Sequence, residues 1–254
     1  MSVVATQVGA VARRSVRRTL RQPAAIVFPI LLLLVNSGGL SASTKLPGFP
    51  TDSFLAFALA VPFIQGALFA TMNAGTDLAR DIQTGFLNRL SLTPIRGSAL
   101  LGGTLAGIVV IGIVQAIFYL VVGLVFGVRF AAGPAGVAVL LLFAALVALG
   151  FGAIGSFLAL RTGSGEAIQG FFPVFFVFLF ISSMNTPRNL IAVGWFRALA
   201  TINPVSYLLE CVRSLVITGW DWEALGLGFG IASVIGIVAI TLSSWALTRR
   251  MSRT

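Results

Sequence analysis

The sequence predicts an all-α membrane protein with six transmembrane helices and both termini on the cytoplasmic side. Three observations carry that expectation. First, of 254 residues 57% are hydrophobic and only 9% charged, with a mean hydropathy of +1.02. A soluble domain carries roughly a quarter charged residues, so this chain has too few polar groups to cover a water-facing surface. Second, charge-free runs occupy 22–44, 53–76, 97–128, 130–160, 167–187 and 224–248. A charge at mid-bilayer is costly, so such gaps mark spans, and each holds an apolar stretch able to cross roughly 30 Å of hydrocarbon as a helix. Third, with the N-terminus inside, twelve basic residues face one side and five (Lys45, Arg129, Arg188, Arg197 and Arg213) the other. That asymmetry follows the positive-inside rule.

Taken in order, the elements have separate justifications. Residues 4–22 place Arg13, Arg14, Arg17, Arg18 and Arg21 on one side of a helical wheel, with Val4, Val8, Val11, Val16 and Leu20 opposite. That pattern suits an amphipathic helix lying in the interface, its arginines toward lipid phosphates. A signal peptide fits less well, because the basic stretch is long and five further spans follow; no segment is expected to be removed. The first span is expected at 24–41 and the second at 53–76, joined by a short outside loop with Pro47, Gly48 and Pro50. Pro62 predicts a kink in the second span. Spans at 99–127 and 135–160 carry Gly103/Gly107 and Gly123/Gly127, a weak signal for close helix approach in a chain with 28 glycines.

The fifth span, 166–184, is crowded with phenylalanines around Pro173, which cover more than half of its circumference. Most must meet lipid or neighbouring helices; with Gln65 of the second span, Phe172 and Phe176 are candidates for a substrate path. Residues 187–222 lie outside and hold too few apolar residues for a full span, which suits a re-entrant or interfacial hairpin. There Glu210 and Arg213 are close enough along one helix to pair. Trp195, Trp220 and Trp222 are expected at headgroup level, and the last span at 224–247.

Composition also excludes chemistry. With no His and one cysteine, Cys211, the chain cannot build a His- or Cys-based zinc site, a Ser-His-Asp or Cys-His nucleophile pair, or an internal disulfide. It has no Gly-Lys-Ser/Thr phosphate loop with which to cradle ATP. No catalytic, cofactor-binding or metal-ligating residues are assigned. The net charge of +10 does not indicate nucleic acid, because the arginines sit at the ends of apolar spans rather than along a polar face.

The segment 77–96 mixes charges with Leu78, Ile82, Phe86, Leu87, Leu90 and Leu92, in a stretch that cannot span. It suits a short amphipathic helix presented to a cytoplasmic partner. Its run Arg80-Asp81-x-x-x-Gly85-x-x-x-Arg89-Leu90-x-x-Thr93-Pro94-x-Arg96 resembles the pattern of ATP-binding-cassette type-2 permeases after their second span. Asn203-Pro204-x-x-Tyr207-x-x-Glu210-x-x-Arg213 resembles the same family's segment before the last span. Together, at these places, the two motifs extend the resemblance over essentially the whole chain, and its closest flavour is the daunorubicin/doxorubicin-resistance type. One departure is Ile82-Gln83, where relatives often carry further charge.

The resemblance implies an export permease subunit of a bacterial cell (inner) membrane, not itself an enzyme. It implies that two copies, identical or related, associate in membrane lipid and dock a cytoplasmic ATP-binding-cassette ATPase dimer that holds the ATP and Mg. It further implies that Arg80, Asp81, Gly85, Arg89, Leu90, Pro94 and Arg96 form a coupling helix, and that the outer segment with Asn203, Pro204, Tyr207, Glu210 and Arg213 closes the path externally. The substrate is expected to be an amphiphilic or hydrophobic drug, antibiotic, lipid or glycolipid. An ion-coupled secondary transporter or channel is the alternative, although no ionisable residue lies in the middle of any expected span.

Overall fold

The computed structural model describes residues 24–85 and 97–251. The arginines at 13, 14, 17, 18 and 21, and Arg89, Leu90, Pro94 and Arg96 of the loop, lie outside the described residues. Within them the regular elements are helical: α1 (Ala24–Gly39), α2 (Phe54–Ala58), α3 (Ala60–Gln83), α4 (Gly97–Val125), α5 (Gly133–Thr162), α6 (Gly165–Phe180), α7 (Gly194–Ile202), α8 (Pro204–Arg213) and α9 (Trp222–Met251). Short 3-10 turns occupy Ser41–Lys45 and Arg188–Leu190, and a π-turn, Ser214–Thr218, extends α8.

Among the described residues four helical rods are long and apolar enough to cross a membrane: α2 with α3, α4, α5 and α9. Helices α1 and α6 are apolar but have 16 residues each. At ~1.5 Å per residue that is about 24 Å of rise, short of a hydrocarbon core of roughly 30 Å. The sixfold count from charge gaps thus corresponds to four full-length helices and two shorter ones. Absence of charge is not continuity of helix: after Phe180 the run 167–187 proceeds through turn and bends containing Ser182 and Ser183.

The second rod is interrupted at its start. Pro62 has no N–H to offer the carbonyl four residues earlier, at Ala58, and the helical pattern breaks at Leu59. Beyond the break α3 is continuous through Gln83, so Asp77, Arg80 and Asp81 stand on the same helix as Gln65. This rod is also the centre of the bundle. Buried residues make up 83% of its apolar stretch against 28% of that of α9, and it has the lowest mean hydropathy of the four, 1.9. A helix wrapped by protein need not be greasy on every side, whereas α9 and α4 turn Val234, Ile237, Val238, Val110, Val114 and Val121 outward, as lipid-facing helices do.

Close helix contact is made by glycines on different helices. A Cβ added to Gly155 of α5 would overlap the Thr71 carbonyl oxygen of α3, and one on Gly75 would stand 2.9 Å from the Gly155 carbonyl. Across that seam the Thr71 hydroxyl donates to the Phe151 carbonyl at 2.8 Å. On its other side α5 meets α9, where a Cβ on Gly150 would lie 3.2 Å from the Gly236 nitrogen and the Ser243 hydroxyl donates to the Ala153 carbonyl at 2.7 Å. Small residues allow the backbones to touch, and buried hydroxyls find carbonyl partners where water is absent. Of the sequence pair Gly123/Gly127, the first abuts Leu59 and the second sits at φ +83 in the turn after α4.

Candidate functional site

The polar residues gather at the two ends of the bundle. At one end α3 finishes on Thr84 as its cap and Gly85 at φ +68, a left-handed position that suits glycine at a helix C-terminus. Arg80 is exposed on the last turn, while Leu78 and Ala79 are buried. The ends of α5 and α9 lie alongside: Arg250 donates to the Leu160 carbonyl at 2.9 Å, and the Arg249 guanidinium stacks 4.2 Å from the Trp245 ring centroid. Cations at helix C-termini complement the carbonyl ends there.

At the opposite end α8 organises three other segments. Asn203 caps it, with Oδ1 accepting from the Val205 N–H at 3.0 Å, and Pro204 occupies the first turn where a missing N–H costs nothing. Asn203 Nδ2 donates to the Phe178 carbonyl, one of the orphan acceptors at the end of α6. One turn on, the Ser206 hydroxyl accepts from the Ser183 N–H at 3.1 Å. Two further turns bring Arg213 to the same side, since seven residues return a helix to nearly the same face.

Arg213 is only 6% exposed, yet its fork is filled. Nε donates to the Phe57 carbonyl at 3.0 Å, Nη1 to the Ser183 carbonyl at 2.6 Å and Nη2 to the Met184 carbonyl at 2.6 Å. The guanidinium also lies 3.6 Å from the Phe57 ring centroid, a cation–π contact. One side chain therefore ties α8 to α2 and to the turn after α6.

Glu210 does not pair with Arg213 as its spacing suggested. Its carboxylate receives Arg188 Nε at 2.7 Å and Nη2 at 2.6 Å in a two-point fork, and Arg188 stacks 4.4 Å from the Tyr207 ring centroid. Arg213 turns away because backbone carbonyls surround it, and Glu210 follows Tyr207 on the half-exposed side of α8. Partial burial pulls the Arg188 proton affinity down, but the Glu210 carboxylate and its hydrogen bonds, with Tyr207, outweigh that and hold it above the ordinary arginine value. The Tyr207 hydroxyl donates to the Thr201 carbonyl at 2.8 Å, fixing α7 to α8.

A cavity of about 600 Å³ opens beside this knot, lined in part by Arg188, Arg197, Glu210 and Arg213. The three mid-span candidates lie elsewhere. Gln65 and Tyr119 of α4 are both buried, and neither Gln65 Oε1 nor the Tyr119 hydroxyl has a hydrogen-bond partner among the described residues. Phe172 and Phe176 are partly buried against Phe69 of α3, at centroid distances of 5.3 and 6.4 Å. Sequence reasoning passed over Arg188, Arg197, Ser183 and Ser206, whose partners are backbone groups or residues on another element.

Buried hydroxyls, touching backbones and outward apolar faces make this a polytopic bundle, and the comparisons with known proteins agree. A family model described as ABC-2 type transporter matches residues 6–217. The chain belongs to the ABC-2 type transporter family. This ABC-2 chain is 27% identical over 227 residues to the daunorubicin resistance ABC transporter permease protein DrrB1 of Streptomyces coeruleorubidus, covering 85% of this chain and 74% of that one. It is 26% identical over 249 residues to the transport permease ycf38 of Porphyra purpurea, covering 93% and 84%. It is thus a multi-pass membrane protein and a transporter subunit, and membership implies association with an ABC ATPase.

Proposed function

We propose that this chain is the transmembrane subunit of an ATP-driven exporter, forming the path for an amphiphilic or hydrophobic substrate. The observation that carries the reading is a family match across residues 6–217 in a chain with no phosphate loop of its own. The name of DrrB1, a daunorubicin resistance permease, favours a drug or antibiotic within the expected class of drug, antibiotic, lipid or glycolipid.

In this reading the Gln83 end faces the cytoplasm of a bacterial cell, α1 and α6 complete six spans with a second permease copy and lipid around them, and the 4–22 segment lies on the inner surface. The ATPase dimer, with its ATP and Mg, docks on Arg80, Asp81, Gly85, Arg89, Leu90, Pro94 and Arg96. Closure of that dimer moves the end of α3, and α5 with it, so that spans repack across the permease pair. The outer knot of Asn203, Tyr207, Glu210 and Arg213 holds the far end shut, and Gln65, Phe172 and Phe176 become path residues only in a rearranged state.

The test is reconstitution with the partner ATPase. Arg89→Glu is expected to weaken co-purification of the ATPase by about tenfold, because a charge contact is reversed at the docking surface. Substrate-stimulated ATP hydrolysis should fall with it. Transport by the purified chain alone, driven by an ion gradient, would overturn the proposal in favour of a secondary carrier.

A further inference from the structure

The cavity beside α8 has properties that neither the knot nor export requires. Its wall carries three arginines, Arg188, Arg197 and Arg213, against two carboxylates, Glu210 and Asp221. Both carboxylates have partners of their own. Glu210 holds Arg188, and Asp221 Oδ1 accepts from the backbone N–H groups of Glu223 and Ala224, each at 3.1 Å, at the start of α9. Arg213 is consumed by carbonyls. Arg197 has no carboxylate partner among the described residues; it spends Nε and Nη2 on the Ile191 carbonyl, Nε at 2.8 Å.

Arg188 is held by Glu210 and Tyr207, whereas Arg197 bonds only a neutral backbone carbonyl, through Nε and Nη2, so its positive charge is left without a counter-charge among the described residues that line the cavity. Exposed Asn189 lines the cavity as well. The rest of the lining includes Pro50, Pro187 and Ile217, and about 600 Å³ is far more than a bare oxyanion fills but ordinary for a small-molecule site.

The geometry points to a binding site for an anionic amphiphile, its phosphate or carboxylate head held by Arg188, Arg197 and Asn189 and its apolar part against Pro50, Pro187 and Ile217. Guanidinium groups suit such heads because they bond oxyanions in a fixed planar geometry. The head can arrive on a bilayer lipid or on a free amphiphile. The site does not depend on coupling to an ATPase: a chain that failed the export test would still bind.

Calorimetry on the purified full chain in an uncharged detergent tests it, with dodecyl phosphate, inorganic phosphate and dodecyltrimethylammonium as probes. Saturable binding of dodecyl phosphate is expected, weaker binding of inorganic phosphate, and none of the cation. Arg197→Gln and Asn189→Asp should each weaken dodecyl phosphate about tenfold, through loss of a charge-assisted bond or gain of a like charge. Asn189 is exposed and its side chain has no hydrogen-bond partner among the described residues, so its variant should unfold at the parent temperature when ligand-free, which separates binding from folding.

Phosphatidylcholine nanodiscs with and without phosphatidic acid distinguish the sources. A rise in unfolding temperature with phosphatidic acid, lost in Asn189→Asp, supports the site with a lipid occupant. No rise, with dodecyl phosphate still bound, supports it with a free amphiphile. Absence of saturable anion binding, equal binding of the cation, or affinities unchanged by both substitutions would overturn it.

Discussion

Two places in the bundle bury polar groups, and they treat them in opposite ways. At the α8 end a full positive charge is buried, yet each nitrogen of Arg213 has an acceptor and the ring of Phe57 covers its face. In the middle of the bundle the buried polar groups among the described residues are neutral, yet Gln65 Oε1 and the Tyr119 hydroxyl find no partner among those residues. The difference teaches that cost follows satisfaction rather than charge. An orphaned neutral group forfeits about 1–3 kcal/mol, whereas a well-bonded buried ion is strongly destabilising only when one partner is taken away. The first place is a staple, and the second is where packing has hydrogen bonds still to gain.

That contrast can be broken by substitution. Arg213→Met should be the most damaging, losing about 3 kcal/mol or more, because three backbone carbonyls from two other segments are orphaned together at about 1–3 kcal/mol each. Thermal unfolding in detergent measures it, and a midpoint within the scatter of the parent would refute the staple. Gln65→Leu and Tyr119→Phe are expected to do the reverse, each leaving stability unchanged or raising it by up to about 1 kcal/mol, since a polar atom without a partner is removed. A loss comparable to that of Arg213→Met would show that these groups are satisfied after all. Smallest is the Arg188–Glu210 pair. Although forked, it is about a quarter exposed, so a double-mutant cycle should give less than about 1 kcal/mol of coupling and shrink in high salt.

The same contrast explains what could be read from residues alone. Spans were visible because charge is excluded from hydrocarbon, so the gaps between Arg96 and Arg129 or Glu223 and Arg249 outline α4 and α9. The early end of α6 was not, because Ser182 and Ser183 interrupt a helix without adding charge. The positions Asn203, Tyr207, Glu210 and Arg213 stood out as a motif, but their partners did not. Phe178, Ser183, Met184 and Phe57 contribute backbone carbonyls, which every residue has, so no side-chain pattern marks them. Glu210 had a cation at helical spacing on its own element and took Arg188, 22 residues away, because a neighbouring arginine was already claimed. The helical reach of α3 into the charged segment was equally hidden: a helix that leaves the bilayer does not have to end there.

That reach has a mechanical consequence. From Ala60 to Gln83 the 24 residues of α3 form one rod, about 36 Å long. Near two-thirds of its length Gly75 and Gly155 press it against α5 with no side chain between to act as a cushion. At that seam α3 cannot shift toward α5 without moving it, because backbone meets backbone there. The backbone ladder of the rod is already open at Leu59, where Pro62 withholds its donor, and that opening lies next to Phe57, which Arg213 grips. The break in the helix and the Arg213 cluster are thus neighbours in the chain, and any tilt of α3 about Leu59 would be felt first at the Phe57 carbonyl that Arg213 holds.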